Sequence, residues 1–488
     1  MTPSFHIENF GCRAARADGE AVAALLRKQG ASESPPAAAD VVIVNTCSVT
    51  AEADREARAF IRRAHRQNPE ARIIVTGCYA QRAPDELAAL PGIAAVVGNS
   101  HKALTPEIAL NLRPVGSEST KNLIQIQPPG GAAAVPKVLV DDTFAHSFLE
   151  EAAITPGAQT RPNLKIQEGC SSRCSFCVIP QTRGHSRSLP SSAVLKHVHA
   201  FVESGGNELV LSGINLGRWG RDLERTSSEP CTLAALVRAI FDQTTLPRLR
   251  LSSIEPMDWD ADLISVVDDF AGTRLARHAH VPLQSGSDSV LRRMHRRYRP
   301  WHYAEKVAGL IRAAGPALTI GADVMVGFPG ETEREFRESY DFIRSLSFGY
   351  LHLFPFSPRP DTRAWTLHAE NPVAAAAVNE RMVALRALAA EKTRAHRSEF
   401  IETNLDAITL HTPPALADSG CTSAVTDNFI PVELTGSLQA NRLLPIRITG
   451  IAPDNTLLAS AVPSTHSANS HSFNPLIQPS EPILETAF

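Results

Sequence analysis

Gly169-Cys170-Ser171-Ser172-Arg173-Cys174-Ser175-Phe176-Cys177 is the stretch on which the reading of this chain turns. Its cysteines are spaced by three residues and then by two, directly after a short strand candidate, Leu164-Lys165-Ile166. Three thiolates can hold three irons of a [4Fe–4S] cube and leave the fourth iron open. An open iron can chelate the amino and carboxylate groups of S-adenosylmethionine and inject an electron into its sulfonium. Half a zinc ribbon is the competing reading, but zinc takes four ligands in paired short spacings. No matching second pair lies nearby.

At 488 residues the chain exceeds one ordinary domain, and roughly two to four domains are expected. A formal charge of −3 excludes a globally basic nucleic-acid binder but leaves room for a local basic patch. No apolar run approaches the roughly 20 residues that span a bilayer, so no membrane partner is expected. Residues 1–12 lack the basic-then-apolar layout of a secretory signal. The expected compartment is the reducing cytoplasm, where disulfides are rare. The eight cysteines, at 12, 47, 78, 170, 174, 177, 231 and 421, then need another use.

Upstream, residues 1–113 read as a small α/β domain of flavodoxin/Rossmann-like type. Asp40 to Asn45 and Arg72 to Gly77 are β-branched runs of the kind found in buried parallel strands, and Ala51 to Gln67 between them has helix composition. Residues 114–160 dissolve into Pro, Gly, Ala and Ser, a linker or insertion with one short strand, Lys137 to Val140. Residues 161–397 hold six strand candidates: Leu164–Ile166, Glu208–Leu211, Arg248–Ser252, His278–Leu283, Leu318–Val326 and Tyr350–Phe356. Helical stretches such as Ser191–Glu203 and Thr332–Leu346 separate them, which predicts an open (β/α)6 barrel with its chemistry at the carboxyl ends of the strands. After a helix-prone stretch, Val373 to Glu402, residues 398–463 alternate short apolar runs with turns, as in a small β-barrel. Residues 464–488 have the composition of a disordered tail.

The amino-terminal cysteines occur as Gly11-Cys12, Asn45-Thr46-Cys47 and Gly77-Cys78. Cys47 and Cys78 follow predicted strands directly, and Cys12 follows a first strand, His6 to Phe10, so all three emerge at one sheet edge. Dispersed cysteines are ordinarily small buried hydrophobes; three at strand ends point instead to a second cluster. Cys231 and Cys421 read as structural.

Cys170 to Cys177, with Phe176 between the last two cysteines, resembles the radical-SAM superfamily. Over residues 5 to about 460 the chain resembles the methylthiotransferases, which insert sulfur and a methyl group into C–H bonds. The motifs are Asn45-Thr46-Cys47-Ser48-Val49-Thr50, Thr76-Gly77-Cys78-Tyr79-Ala80-Gln81, Arg183-Gly184-His185-Ser186-Arg187-Ser188, Leu211-Ser212-Gly213-Ile214-Asn215-Leu216-Gly217, Ser252-Ser253-Ile254-Glu255-Pro256, Pro282-Leu283-Gln284-Ser285-Gly286-Ser287, Gly327-Phe328-Pro329-Gly330-Glu331 and Pro355-Phe356-Ser357-Pro358-Arg359-Pro360. The most similar branch acts on threonylcarbamoyladenosine beside the tRNA anticodon, at position 37.

The resemblance implies a transferase with two [4Fe–4S] clusters, Cys12/Cys47/Cys78 holding the auxiliary one and Cys170/Cys174/Cys177 the radical-SAM one. It implies that one S-adenosylmethionine supplies a methyl group to sulfur on the auxiliary cluster. A second is cleaved to a 5′-deoxyadenosyl radical that abstracts hydrogen from C2 of the adenine. Phe176 is expected beside the cofactor's adenine, and Ser212, Gly213, Ser252 and Gln284 along the cofactor pocket. Glu255 and Asp323 either line that pocket or bond within the barrel top. A tRNA substrate and a low-potential electron donor of flavodoxin or ferredoxin type are the implied partners, with the sulfur donor open. The terminal barrel resembles the TRAM domain, an OB-like RNA-binding module. Where the family usually has Lys, then Asn and an acid within the next few residues after its first cysteine, this chain reads Arg13-Ala14-Ala15-Arg16-Ala17-Asp18, which suggests thinner polar support there.

Arg292-Arg293-Met294-His295-Arg296-Arg297-Tyr298-Arg299 is strongly basic; it reads as a phosphate-contacting patch (Arg292, Arg293, Arg296, Arg297) or as a solvated helix face. Three functions compete: a tRNA methylthiotransferase, on the threonylcarbamoyl or the isopentenyl type of adenosine; the same chemistry on a ribosomal-protein aspartate; and a non-catalytic iron–sulfur RNA-binding protein. The intact three-cysteine motif followed by glycine-rich strand ends argues against the last.

Overall fold

Val41–Thr46 is buried at every position, so both faces of this strand must be covered. The computed structural model, which describes residues 3–112, 136–146, 160–223 and 230–462, meets that need with helices on each side of a parallel sheet. Its strands are β1 (Ser4–Asn9), β2 (Ser32–Glu33), β3 (Val41–Thr46), β4 (Arg72–Gly77), β5 (Ile93–Gly98) and β6 (Lys137–Leu139), in the order β2-β1-β3-β4-β5-β6. Val41 and Ile43 pack with Val22 and Leu26 of helix α1 (Arg13–Lys28), while Val42 and Val44 pack with Ala57, Phe60 and Ile61 of helix α2 (Ala51–Gln67). Thr50 caps α2, its Oγ1 accepting from the Ala53 amide at 3.2 Å. The short strand expected within the linker is β6, which pairs with β5 and belongs to this sheet. Most of 114–160, and the tail at 464–488, lie outside the described residues.

The six barrel strands all form: β7 (Asn163–Glu168), β9 (Glu208–Gly213), β10 (Arg248–Leu251), β11 (His278–His280), β12 (Thr319–Val326) and β13 (Tyr350–Pro355). A strand not anticipated, β8 (Arg187–Ser188), runs antiparallel on β7. The sheets are β10-β9-β7-β8 and β11-β12-β13. Across their seam the Ala276 amide donates to Leu249 O at 2.9 Å and the Ile254 amide to His280 O at 3.0 Å. The arc is therefore in chain order and open on one side.

Strand alternation sorts the arc's two faces. Leu209, Leu211, Leu249, Leu251, Ile320, Ala322 and Val324 join the main apolar core under the helices. The alternate positions turn inward and are polar: Glu208, Ser212, Arg248, Arg250, Ser252, His278, His280, Asp323, Tyr350 and His352.

The carboxyl-terminal strands β14 (Asn404–Thr409), β15 (Cys421–Thr426), β16 (Pro431–Thr435), β17 (Leu443–Ile451) and β18 (Leu457–Ala461) close a barrel in the order β14-β15-β16-β18-β17. This barrel is not a detached module. Arg277 donates to both carboxylate oxygens of Asp427, at 2.5 and 3.1 Å, and Arg250 to Thr426 O at 3.2 Å. The β15–β16 turn pushes Phe429 into the base of the arc, its ring 4.5 Å from that of His278 and 5.9 Å from that of Tyr350. Phe429 sits there at φ 68°, a left-handed conformation costing about 1–3 kcal/mol that the packing around it must hold.

Glu208 anchors that base, fully buried against Arg250 at 2.8 Å and Arg248 at 3.4 Å. Burial raises its carboxyl, but Arg250, Arg161 and Arg248 outweigh this and hold it down at about 2. A depressed carboxyl stabilises the fold above its ordinary value, and the benefit is lost as pH falls toward the folded value. Glu208→Gln is therefore expected to cost about 3 kcal/mol at pH 7. The gap to the parent protein, measured by urea denaturation, should close steadily between about pH 4.5 and pH 2; a constant gap would contradict this account.

Candidate functional site

The three amino-terminal cysteines lie at the carboxyl edge of the parallel sheet: Cys12 at the start of α1, Cys47 after β3 and Cys78 at the start of helix α3 (Cys78–Arg82). Two glycines allow this crowding. A Cβ on Gly11, at φ 102°, would fall 2.1 Å from Cys47 Cβ, and one on Gly77, at φ 99°, 2.3 Å from Thr46 O. Asn45 ties the edge together by donating to Asn9 Oδ1 at 2.9 Å and to Ala15 O at 2.5 Å. The hydrogen bond from the Cys47 thiol and the charge of Arg183 bring Cys12 down to about 5, against burial. Cys78 Sγ accepts from Asn99 Nδ2 at 3.3 Å and from Arg183 Nε at 3.2 Å.

Arg183 ends the short helix Ile179–Arg183 that follows Cys177, so one side chain spans from the second cysteine motif to the first. In that second motif, Cys170 Sγ accepts from the Ser172 amide at 3.4 Å and from Asn215 Nδ2 at 3.6 Å. Cys174 Sγ accepts from Arg296 at 3.3 Å. Burial pushes Cys177 up to about 12 and raises Cys174 despite Arg296. The three cysteines line a cavity of about 320 Å³ with His185, His295 and Arg363.

Beneath Arg183 lies a buried ion cluster. Asp18 of α1 accepts from Lys102 at 2.9 Å, from Arg183 at 3.1 Å and from Lys165; Glu168 of β7 accepts from Lys102 and Lys165 at 2.5 Å and from Arg183 at 2.7 Å. Asp18 thus supplies buried polar support behind Cys12, and the expectation of thin support is corrected. Nothing in the sequence marks Lys102, Asn99 or the pairing of Glu168, whereas Asp18 and Arg183 stand in stretches tied to the cysteine motifs.

The expected cofactor-pocket residues group along the upper inner face of the arc. Ser212 Oγ, Ser252 Oγ and Gln284 Oε1 are buried and find no hydrogen-bond partner among the described residues. Gln284 is held at φ 65°, and its amide donates to Asp323 O at 2.7 Å. Gly213 approaches Gln167 so closely that a Cβ would lie 2.9 Å from it, and Phe176 packs half-buried against the main core. Glu255 is ion-paired to Arg296. Asp323 lies within β12, where its Oδ1 meets His280 Nε2 and His352 Nδ1 at 3.3 Å each.

The basic segment is not one helix face. A helix ends at Arg293 and His295 turns through φ 56°. Arg296 is only 7% exposed and committed to Glu255 and Cys174, so it does not offer the phosphate contact expected of it. Arg293 is paired to Glu335 at 2.7 Å, whereas Arg292 and Arg297 keep exposed side chains.

The residues fit the cofactors these motifs imply. Each triplet gathers thiol donors, Cys174 and Cys177 of the second have raised pKa values that a cation would offset, and the orphaned atoms of Ser212, Ser252 and Gln284 call for a polar ligand. Residues 4–98 match the family described as Uncharacterized protein family UPF0004, and residues 164–343 match the Radical SAM superfamily. The chain is 35% identical to Threonylcarbamoyladenosine tRNA methylthiotransferase MtaB of Bacillus subtilis, over 89% of this chain and 91% of that one. It is 31% identical to tRNA-2-methylthio-N(6)-dimethylallyladenosine synthase of Geobacter metallireducens, over 94% and 98%. A radical S-adenosylmethionine methyltransferase from Kitasatospora setae, of solved structure, shares the fold with a TM-score of 0.51 and 14% identity, over 75% of this chain and 76% of that one.

The fold and the paired triplets are those of a radical-SAM enzyme. The chain belongs to the radical-SAM methylthiotransferase family, transferases whose cofactors are S-adenosylmethionine and two [4Fe–4S] clusters. Among the described residues no helix is long and apolar enough to cross a membrane.

The ion cluster sets three cations against two carboxylates. Glu168→Gln would leave three cations on Asp18 alone and is expected to cost about 3–5 kcal/mol. Lys102→Met leaves two cations on two carboxylates and should cost clearly less. Chemical denaturation under anaerobic conditions tests that order, and the reverse order would refute the charge count.

Proposed function

We propose that the chain methylthiolates C2 of N6-threonylcarbamoyladenosine at position 37 of tRNA, in the cytoplasm, with electrons from a flavodoxin- or ferredoxin-type donor. The observation that carries this reading is the pair of thiol triplets, one on each domain, joined through Arg183 above a polar lumen. Cys170, Cys174 and Cys177 would hold the radical-SAM cluster, and Cys12, Cys47 and Cys78 the auxiliary one. When bound, these clusters and two equivalents of S-adenosylmethionine supply the sulfur, the methyl group and the one-electron chemistry that opens a C–H bond. Ser212, Ser252 and Gln284 would bind the polar parts of S-adenosylmethionine, and Arg296 would hold Glu255 in place beside Cys174. The names of the relatives support the tRNA substrate, and the Bacillus relative's name supports the threonylcarbamoyl group. The 31% identity to a dimethylallyladenosine synthase keeps the isopentenyl type of adenosine as the second reading.

Anaerobic reconstitution should give roughly eight irons per chain, and roughly four in Cys47→Ala or Cys177→Ala. Cys177→Ala should abolish cleavage of S-adenosylmethionine, while Cys47→Ala should retain it and lose methylthiolation. Equal loss of cleavage in two folded variants would refute this division.

Nucleoside mass spectrometry of tRNA from a deletion strain tests the substrate. The methylthio derivative of threonylcarbamoyladenosine should disappear while that of isopentenyladenosine persists. The opposite pattern would establish the second reading, and loss of methylthio-aspartate from ribosomal protein would point to a protein substrate.

A further inference from the structure

The lumen holds a cation that the ion pairs around it do not use. Arg13 follows Cys12 and opens α1, and its guanidinium lies 5.2 Å from the centre of the Phe429 ring, within the base of the arc. Arg250 and Arg161 share the same ring, at 5.2 and 5.7 Å, but both are paired with Glu208. Asp323, the other lumen carboxylate, is engaged by His280 and His352. Arg13 has neither a hydrogen-bond nor an ion-pair partner among the described residues. Burial lowers its pKa, with Tyr350 and Asp323 opposing. A half-buried guanidinium with only an aromatic face for company is a ready receptor for a carboxylate, which it can grip through two parallel hydrogen bonds.

We infer that Arg13 is a specificity residue, receiving the carboxylate of the substituent on N6 of the target adenine. This rests on the threonylcarbamoyl reading above, since an isopentenyl group offers no anion. The covalent geometry of adenine agrees with the position. C2 and C6 both flank N1, so the N6 substituent leaves the adenine from the same edge of the ring that presents C2. Arg13 is the residue next to Cys12. His280, His352 and Tyr350 form an adjoining wall, with ring centroids 5.0–6.0 Å apart, and offer donors and acceptors to the carbamoyl and hydroxyl groups.

The test uses full-length enzyme with both clusters and two anticodon stem-loops, one carrying threonylcarbamoyladenosine and the other its threonyl methyl ester. The parent enzyme should prefer the free acid by about 30-fold or more in kcat/KM, because the ester leaves the Arg13 guanidinium unpaired. In Arg13→Gln the acid should fall to the level of the ester, the ratio collapsing to within about threefold. Iron content is counted first. If Arg13→Gln does not keep both clusters, the same ratio is measured on Arg13→Lys, which retains the charge without the fork and should show a reduced preference. An unchanged ratio in the variant that keeps its clusters overturns the inference. Equal weakening of acid and ester also overturns it, since a contact to an RNA phosphate would act that way. Failure of the threonylcarbamoyl reading looks different: the parent enzyme would turn over an isopentenyl stem-loop and neither of these two.

Discussion

Asp18, Lys102, Lys165, Glu168 and Arg183 form a five-residue ionic joint with almost no access to water. Its members come from α1, from the end of the amino-terminal sheet, from β7 and from the helix behind Cys177. Charges so deeply buried are tolerated only when each has partners at hydrogen-bonding distance, and losing one leaves the others uncompensated. The joint therefore resists small rotations of one domain against the other. Both cysteine motifs hang from it: Cys12 is six residues before Asp18, and Arg183, six residues after Cys177, bonds Cys78 directly. The excess positive charge also suits the anionic thiolates on its upper side.

The inner face of the arc follows from the same economy of charge. An ordinary barrel fills its interior with branched apolar side chains, and the outer face here does pack Leu, Ile and Val against helices. Inside stand Glu208 with its arginines, then His280 with Tyr350, then Ser212, Ser252 and Asp323 toward the cysteines. A lumen of this kind cannot collapse on itself without stranding polar groups, so it stays open to a polar occupant. Its unsatisfied atoms lie at both ends: Arg250 Nη1 and His278 Nδ1 at the base, and Ser212 Oγ, Ser252 Oγ and Gln284 Oε1 near the cysteine loop.

Most strands were legible from the β-branched runs, β5 and β15 being exceptions, and helix α2 was read to its end residues because its charge and alanine pattern is unbroken. The cysteine triplets were legible as well, since spacing and strand ends leave little freedom. Short strands such as Arg187–Ser188 and Leu457–Ala461 were not, because two to five residues carry too little periodicity to be distinguished from turns. The pairing of charges was also hidden. Lys102 is 84 residues from Asp18 and 66 from Glu168, and nothing local marks a lysine as buried. Arg296 misled in the opposite sense: set in a run of arginines it resembles a solvated face, yet a turn at His295 folds it inward onto Glu255.

The seat of the terminal barrel bears on how substrate binding and chemistry are linked. Phe429 fills the base of the arc from a strained turn, and its ring faces His278, Tyr350, Arg250 and Arg13 together. Tyr350 in turn lies 5.0 Å from His352, whose ring nitrogen meets Asp323. A displacement of the barrel would shift Phe429, and with it the Arg13 guanidinium and the polar wall of the lumen. The arrangement thus gives the barrel a mechanical path to the lumen, made of rings and ion pairs in contact. That path is bistable only if Phe429 can leave its seat, and the Arg277–Asp427 and Arg250–Thr426 bonds oppose this. The geometry therefore favours a fixed floor over a moving one, and places the selectivity of the lumen in its static charge pattern.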